Sequence, residues 1–181
     1  MKITRKIFEL EKKKINIPVF ELTYKNCYKK MVKFCKESKK YIYDFDDTGN
    51  TVGLYCNYKK NHFIFIYKDI TLKTKLWVLL HERGHYLCNK NKCSCLNKLQ
   101  RHEEHATIFA LKYLLNNNYD EALFDYIINM IALTLNAEES LHARAYSKII
   151  KMKLWQKCCD YLDQNYKKEK LLNKGKNKDG K

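Results

Sequence analysis

The sequence predicts an α+β fold: a small antiparallel β-sheet, centred on a hairpin over about residues 51–67, packed on a helical core, with a mostly helical C-terminal half. Three observations lead there. The hydrophobic pattern changes from strand-like to helix-like near residue 70, and apolar residues then recur at helical spacing almost to the end of the chain. There is one Pro and there are five Gly in 181 residues, which suits long helices. The 45% apolar content is enough for a packed core.

The elements follow in order. Ile3, Ile7 and Leu10 recur at helical spacing in the basic segment Met1–Asn16, which Pro18 interrupts. Thr23–Ser38 repeats Cys27, Met31 or Val32, and Cys35 at three to four residues, as a surface helix with one apolar stripe would. Residues 1–40 thus read as a basic, helical N-terminal extension. Tyr41-Ile42-Tyr43 is strand-like, and Asp46-Asp47-Thr48-Gly49-Asn50 is a dense turn signal. Thr51–Tyr58 and His62–Tyr67, separated by Lys59-Lys60-Asn61, form the hairpin. In its second strand Phe63, Phe65 and Tyr67 alternate with Ile64 and Ile66, so both faces are apolar and one should meet a helix. Thr71 or Thr74 caps a helix to about Cys88, the polar stretch Asn89–Asn97 follows as a loop, and Lys98–Leu115 is the next helix, stopped by Asn116-Asn117-Asn118. Further helices cover 119–166: one from Tyr119-Asp120 to about Leu135, and one capped by Asn136 that runs to Tyr166 with room for one break. Residues 41–166 therefore read as one domain, and Lys167–Lys181, with almost nothing to bury, as a disordered basic tail.

The net charge is +16, gathered at the ends: Met1–Lys40 carries 13 Lys and Arg against 4 Glu, and Lys167–Lys181 carries 7 Lys against 2 acids. Such ends attract anionic partners. Lys far outnumbers Arg, however, and Arg is the residue of specific phosphate and base recognition, so direct nucleic-acid binding is not favoured. No apolar stretch approaches a membrane span, Met1–Lys14 has no signal core, and the expectation is a cytoplasmic protein whose eight Cys are reduced.

The chemistry is written in residues 81–85, His-Glu-Arg-Gly-His, directly after Leu76-Trp77-Val78-Leu79-Leu80. Residues i and i+4 share a helix face, so His81 and His85 can offer two imidazoles to one zinc ion. Glu82 lies about 100° further round, placed for a water molecule beside the ion rather than for the ion itself. This is the zincin pattern, and it makes the helical core zincin-like. The competing reading is a core helix whose histidines merely hydrogen-bond.

A catalytic zinc site takes three protein ligands and leaves one position open. The continuation H-E-x-x-H-x-x-G-x-x-H is absent, because Cys88 and Asn91 stand at its Gly and His positions. The third ligand must come from a later helix, which offers His102, Glu103, Glu104 and His105. Glu103, Ala106, Ala110 and Leu114 share a stripe whose small residues permit a close helix approach. His105 points about 200° away from Glu103, and Glu104 and His102 are each about 100° off. Geometry favours Glu103, with Glu104 and His102 as alternatives should the helix register shift.

These residues resemble the ImmA/IrrE-type zinc metallopeptidases, a family common in phages and mobile elements. The resemblance rests on Gly53-Leu54-Tyr55, the strand Phe63–Ile66, the helix His81–Leu87, and the E-x-x-A-x-x-[FW]-A pattern in Glu103–Ala110. It covers about Gly53–Leu115 well, Tyr119–Ile149 loosely, and not the ends. It implies one Zn²⁺ held by His81, His85 and Glu103, with Glu82 as catalytic base. Two positions depart from the family pattern: Arg83 stands where Leu is usual, and Thr107 where Asn or Asp is common.

The resemblance implies an intracellular endopeptidase acting on a specific regulatory protein, such as a helix-turn-helix repressor. The alternative is a metal-stabilised basic module that binds protein or nucleic acid without cleaving anything. Candidates for stabilising the oxyanion are Tyr119, Tyr126, His102 and His142, and the strand His62–Tyr67 is expected at a sheet edge, where substrate would add as a strand. Cys88, Cys93 and Cys95 form C-x4-C-x-C between the two ligand helices. A second metal there needs a fourth ligand, with His102 or Cys56 as candidates; free thiols are the default expectation.

Overall fold

The computed structural model describes residues 1–23, 25, 26, 29, 52–58, 61–136 and 140–176. The expected strand at Tyr41–Tyr43, the turn at Asp46–Asn50 and most of the helix Thr23–Ser38 lie outside them.

Helix α1 (Arg5–Lys13) starts at Thr4, whose hydroxyl accepts from the Ile7 amide. Strand β1 (Val19–Leu22) follows Pro18, and β2 (Gly53–Tyr58) and β3 (Asn61–Tyr67) form the predicted antiparallel hairpin. The sheet order is β1-β3-β2, with β1 parallel to β3 in the register Val19↔Ile64. Two expectations change here. The sheet is mixed rather than purely antiparallel, and β3 is its central strand, not an edge: its amides and carbonyls are taken by β1 on one side and β2 on the other. The N-terminal segment therefore supplies a strand of the sheet rather than only a helical extension. A four-residue strand gives no readable period of two, and its partner is distant in sequence.

Both faces of β3 are buried, as its alternation predicts. Ile64 and Ile66 face the main core, while Phe63 and Phe65 pack with Phe20, Leu22, Leu54 and Cys56 on the other side. Across the Ile face runs helix α2 (Leu72–Lys90), capped by the Thr71 hydroxyl. Every residue from Lys75 to Glu82 is buried. A helix apolar all round must be central, and α2 is flanked by the sheet, α1, α3 (Leu99–Asn116) and α4 (Asp120–Asn136). Helix α3 stops at the asparagine run, where Asn118 takes the left-handed conformation (φ 56°) that Asn tolerates. Helix α5 (Leu141–Ile149) begins at Ser140, which accepts from the Ala143 amide at 3.0 Å, so Ser140 rather than Asn136 is its cap. The expected break then separates α6 (Lys153–Lys176). Helix therefore extends to Lys176, into the segment read as a disordered tail, aided by i,i+4 pairing of Lys167 with Asp163.

The N-terminal segment is tied down by two carboxylates, one buried and one partly so. Glu11, 1% exposed, accepts from Tyr119 (2.6 Å), Tyr113 (2.7 Å) and Lys14 (2.7 Å). Glu21 of β1 receives both guanidinium nitrogens of Arg5 at 2.7 Å, Lys75 of α2 at 2.9 Å and Lys12 at 3.3 Å, and so joins α1, the sheet and α2. Partial burial opposes ionisation of Glu21, but Arg5 and Lys75 outweigh it and hold the carboxyl at about 2, against an ordinary 4.5. A depressed folded-state value contributes stability that is present above 4.5 and is lost as pH falls towards 2. Glu21→Gln should thus be less stable than the parent at pH 7, with the difference vanishing across that acid window in denaturation curves taken at stepped pH.

Candidate metal centre

Helix α2 presents His81 and His85 one turn apart on the face that meets α3. The close approach of the two helices has a visible cause: a Cβ on Gly84 would lie 2.6 Å from the Cα of Ala106. Gly and Ala at this crossing bring Glu103, three residues before Ala106, onto the histidine pair. The Nε2 atoms of His81 and His85 are 3.1 Å apart, and Glu103 oxygens lie 3.2 Å from the first and 3.4 Å from the second. A tetrahedral zinc ion with bonds of about 2.0–2.1 Å needs ligand atoms about 3.3 Å apart. The nitrogen–nitrogen–carboxylate donor set and its spacing therefore fit such an ion. His81 and His85 are buried, and Glu103 is partly so. Burial opposes the charge on Glu103, yet hydrogen bonds with His142, His81 and His85 hold its carboxyl far below the usual range. Of the other candidates on α3, Glu104 pairs with Lys148 at 2.8 Å and Gln100 at 3.2 Å, and His102 Nε2 lies 3.4 Å from His85 Nδ1.

Each imidazole is oriented from behind. Tyr126 of α4 stacks on Trp77 with ring centroids 4.5 Å apart, and its hydroxyl lies 2.8 Å from His81 Nδ1. That hydroxyl donates to Thr107 Oγ1 at 3.3 Å, so its oxygen accepts the His81 Nδ1 proton and leaves the Nε2 lone pair directed at the centre. Thr107 is itself 3.5 Å from His81 Nδ1. Its short reach is made good by the tyrosine, which spans the gap a longer Asn or Asp side chain would fill. Behind His85, Nδ1 lies 3.4 Å from His102 Nε2; burial keeps His102 below its ordinary value and hence a neutral acceptor. Tyr126→Phe should weaken zinc binding about 10–100-fold with little loss of fold, measured by competition with a chromophoric chelator.

Of the four oxyanion candidates, three are committed elsewhere: Tyr119 to Glu11, Tyr126 to His81, and His102 to His85. His142 of α5 is different. Its side chain is half-exposed, and its Nε2 is 3.2 Å from Glu103 Oε2. Burial of its ring opposes protonation, but the carboxylate outweighs this and raises its pKa. Glu82 is buried beside the pair, and β2 passes over it so closely that a Cβ on Gly53 would sit 3.4 Å from Glu82 Oε1 and 2.2 Å from Val78 Cγ1.

Arg83 also finds its place. Its guanidinium carbon lies 5.6 Å from the Phe109 ring centroid and 5.4 Å from that of Tyr113, both on α3, and Nη1 is buried with no hydrogen-bond partner among the described residues. The side chain covers the apolar surface a Leu would cover, and the two ring faces offset the charge.

A mixed sheet backed by a buried H-E-x-x-H helix, with a carboxylate delivered by the next helix, defines a metallopeptidase-type scaffold. The family described as the IrrE N-terminal-like domain, a peptidase family, matches residues 31–144, and the chain belongs to it. No curated protein and no solved structure matches the chain. Among the described residues no helix is long and apolar enough to cross a membrane.

Proposed function

We propose that this protein is a zinc-dependent endopeptidase with His81, His85 and Glu103 as metal ligands and Glu82 as general base, acting on a specific regulatory protein such as a helix-turn-helix repressor. The observation that carries the reading is the convergence of two Nε2 atoms and one carboxylate at 3.1–3.4 Å beside a buried glutamate. When bound there, zinc supplies Lewis acidity for a carbonyl and acidifies water. Glu82 takes the proton of the attacking water and hands it to the departing amine. His142, on the exposed side of Glu103, donates a hydrogen bond to the carbonyl oxygen as charge develops on it.

Substrate runs along β2, not β3, because β3 is paired on both sides. The outer edge of β2 has no partner among the described residues, and Gly53 carries that edge past Glu82. An extended peptide added there presents its backbone to the base without a side chain in between.

The test is incubation of the purified chain with a repressor encoded next to its gene. Cleavage that is blocked by a chelator, restored by zinc and absent with Glu82→Gln supports the proposal. An intact repressor under all conditions, with the zinc centre loaded, removes the substrate assignment.

A further inference from the structure

At the C-terminal end of α2, past His85, a second set of donors converges. Cys88 lies in the last turns of α2. The chain then reverses through Lys92, which takes a left-handed conformation (φ 49°), and the Cys93 amide returns to the Cys88 carbonyl at 2.9 Å. Cys93 caps a short 3-10 helix, Ser94–Asn97, that contains Cys95, and the Cys95 amide points at the Cys93 sulfur at 3.5 Å. Helix α3 then brings in His105, whose Nδ1 lies 3.4 Å from Cys93 Sγ and 4.0 Å from Cys88 Sγ. The four donor atoms all lie within 4.8 Å of one another.

We infer that Cys88, Cys93, Cys95 and His105 hold a second zinc ion, in a closed Cys3His site of structural type. Four donors leave no open position, which separates this site in kind from the His81–His85–Glu103 centre. With Zn–S bonds of about 2.3 Å and a Zn–N bond of about 2.0 Å, tetrahedral edges are about 3.5 Å from nitrogen to sulfur and about 3.8 Å between sulfurs, against 3.4 and 4.0 Å from His105 Nδ1 to the Cys93 and Cys88 sulfurs. An amide aimed at a cysteine sulfur favours the thiolate, the form a metal needs. Three thiolates and one Zn²⁺ leave a negative charge, and Lys90, Lys92 and Lys98 surround it in sequence. Mutual disulfides explain the arrangement less well: three sulfurs cannot all pair with one another, and no disulfide requires an imidazole among them.

The position gives the ion its purpose. Cys88 follows His85 by three residues on α2, and His105 follows Glu103 by two on α3. A metal clasp there fixes the phase of one ligand helix against the other. This inference stands on its own residues and does not need the peptidase reading.

The test is metal analysis of the full chain purified under reducing conditions, followed by cobalt substitution. Two zinc equivalents per chain are expected, and one of them should persist in His81→Ala/His85→Ala. The cobalt-loaded wild type should show thiolate-to-cobalt charge transfer in the near ultraviolet, which a His, His, Glu site cannot give. The band should survive in His81→Ala/His85→Ala and weaken or shift in Cys93→Ser. The cobalt spectrum of the unmutated protein keeps the test decisive even if a variant fails to fold. A single zinc equivalent that disappears with His81 and His85, or a cobalt protein without thiolate bands, overturns the inference.

Discussion

Glu82→Gln should retain zinc and lose peptide hydrolysis. General base catalysis contributes about 10²–10⁴-fold, so turnover by the variant should fall by at least that much, to background in a gel or mass-spectrometric assay. The expectation rests on what Glu82 does not touch. The three donors that fit an ion are His81, His85 and Glu103, and Glu82 is not among them. Gln has the same shape and leaves the packing of Gly53 over Val78 and residue 82 undisturbed, so metal content and thermal stability should match the parent. Only the capacity to accept a proton is removed. Zinc content measured in parallel separates the roles: if the metal leaves with the carboxylate, Glu82 is a ligand rather than a base. His142→Ala should behave differently, slowing the reaction without abolishing it, because Glu82 stays in place while a donor to the developing oxyanion and a hydrogen bond to Glu103 are lost.

The parts of this centre that were legible in the sequence are those set by short-range helical geometry. His81 and His85 share a face because they are four apart, and the stripe Glu103–Ala106–Ala110 marks the side of α3 that the Gly84 crossing admits. The same wheel placed His105 about 200° from Glu103. At that angle His105 stands away from the His81–His85–Glu103 group and beside the cysteine loop, where the sequence offers His102 and Cys56 as candidates for a fourth ligand. The missing signal was the path of the loop, which depends on one left-handed residue, Lys92. Strand β1 was illegible for a related reason: its pairing with β3 is parallel and long-range, and nothing local in Val19-Phe20-Glu21-Leu22 announces it. Its presence moves β3 from edge to centre and so moves the proposed substrate path to β2. The sequence offers Tyr126 only as an oxyanion candidate, and its place behind His81 follows from α4 packing it on Trp77; the role of Arg83 follows from Phe109 and Tyr113, which lie on a different helix.

Gly84→Ala should destabilise the protein, against the usual sign of that substitution in a helix. In an open helix, replacing Gly with Ala gains about 0.5–1 kcal/mol, because Gly loses more backbone freedom on folding. Here the added Cβ would lie 2.6 Å from the Cα and 3.0 Å from the carbonyl oxygen of Ala106. Both are backbone atoms of a neighbouring helix, so no side-chain rotation relieves the contact and the helices must separate. Overpacking of this kind costs about 1–3 kcal/mol, which outweighs the propensity gain. The separation acts directly on function, since Gly84 lies between His81 and His85 in sequence while Ala106 follows Glu103 on the opposing helix. Moving α3 outward lengthens the 3.2–3.4 Å histidine–carboxylate separations, and zinc affinity should fall with stability. Ala106→Gly supplies the complementary arm: combined with Gly84→Ala, it leaves the backbone clash in place and adds a helix-propensity cost, so it should not rescue. If Gly84→Ala proves as stable as the parent and binds zinc equally well, the helix crossing is looser than described and the phase of the two ligand helices is held by something other than this contact.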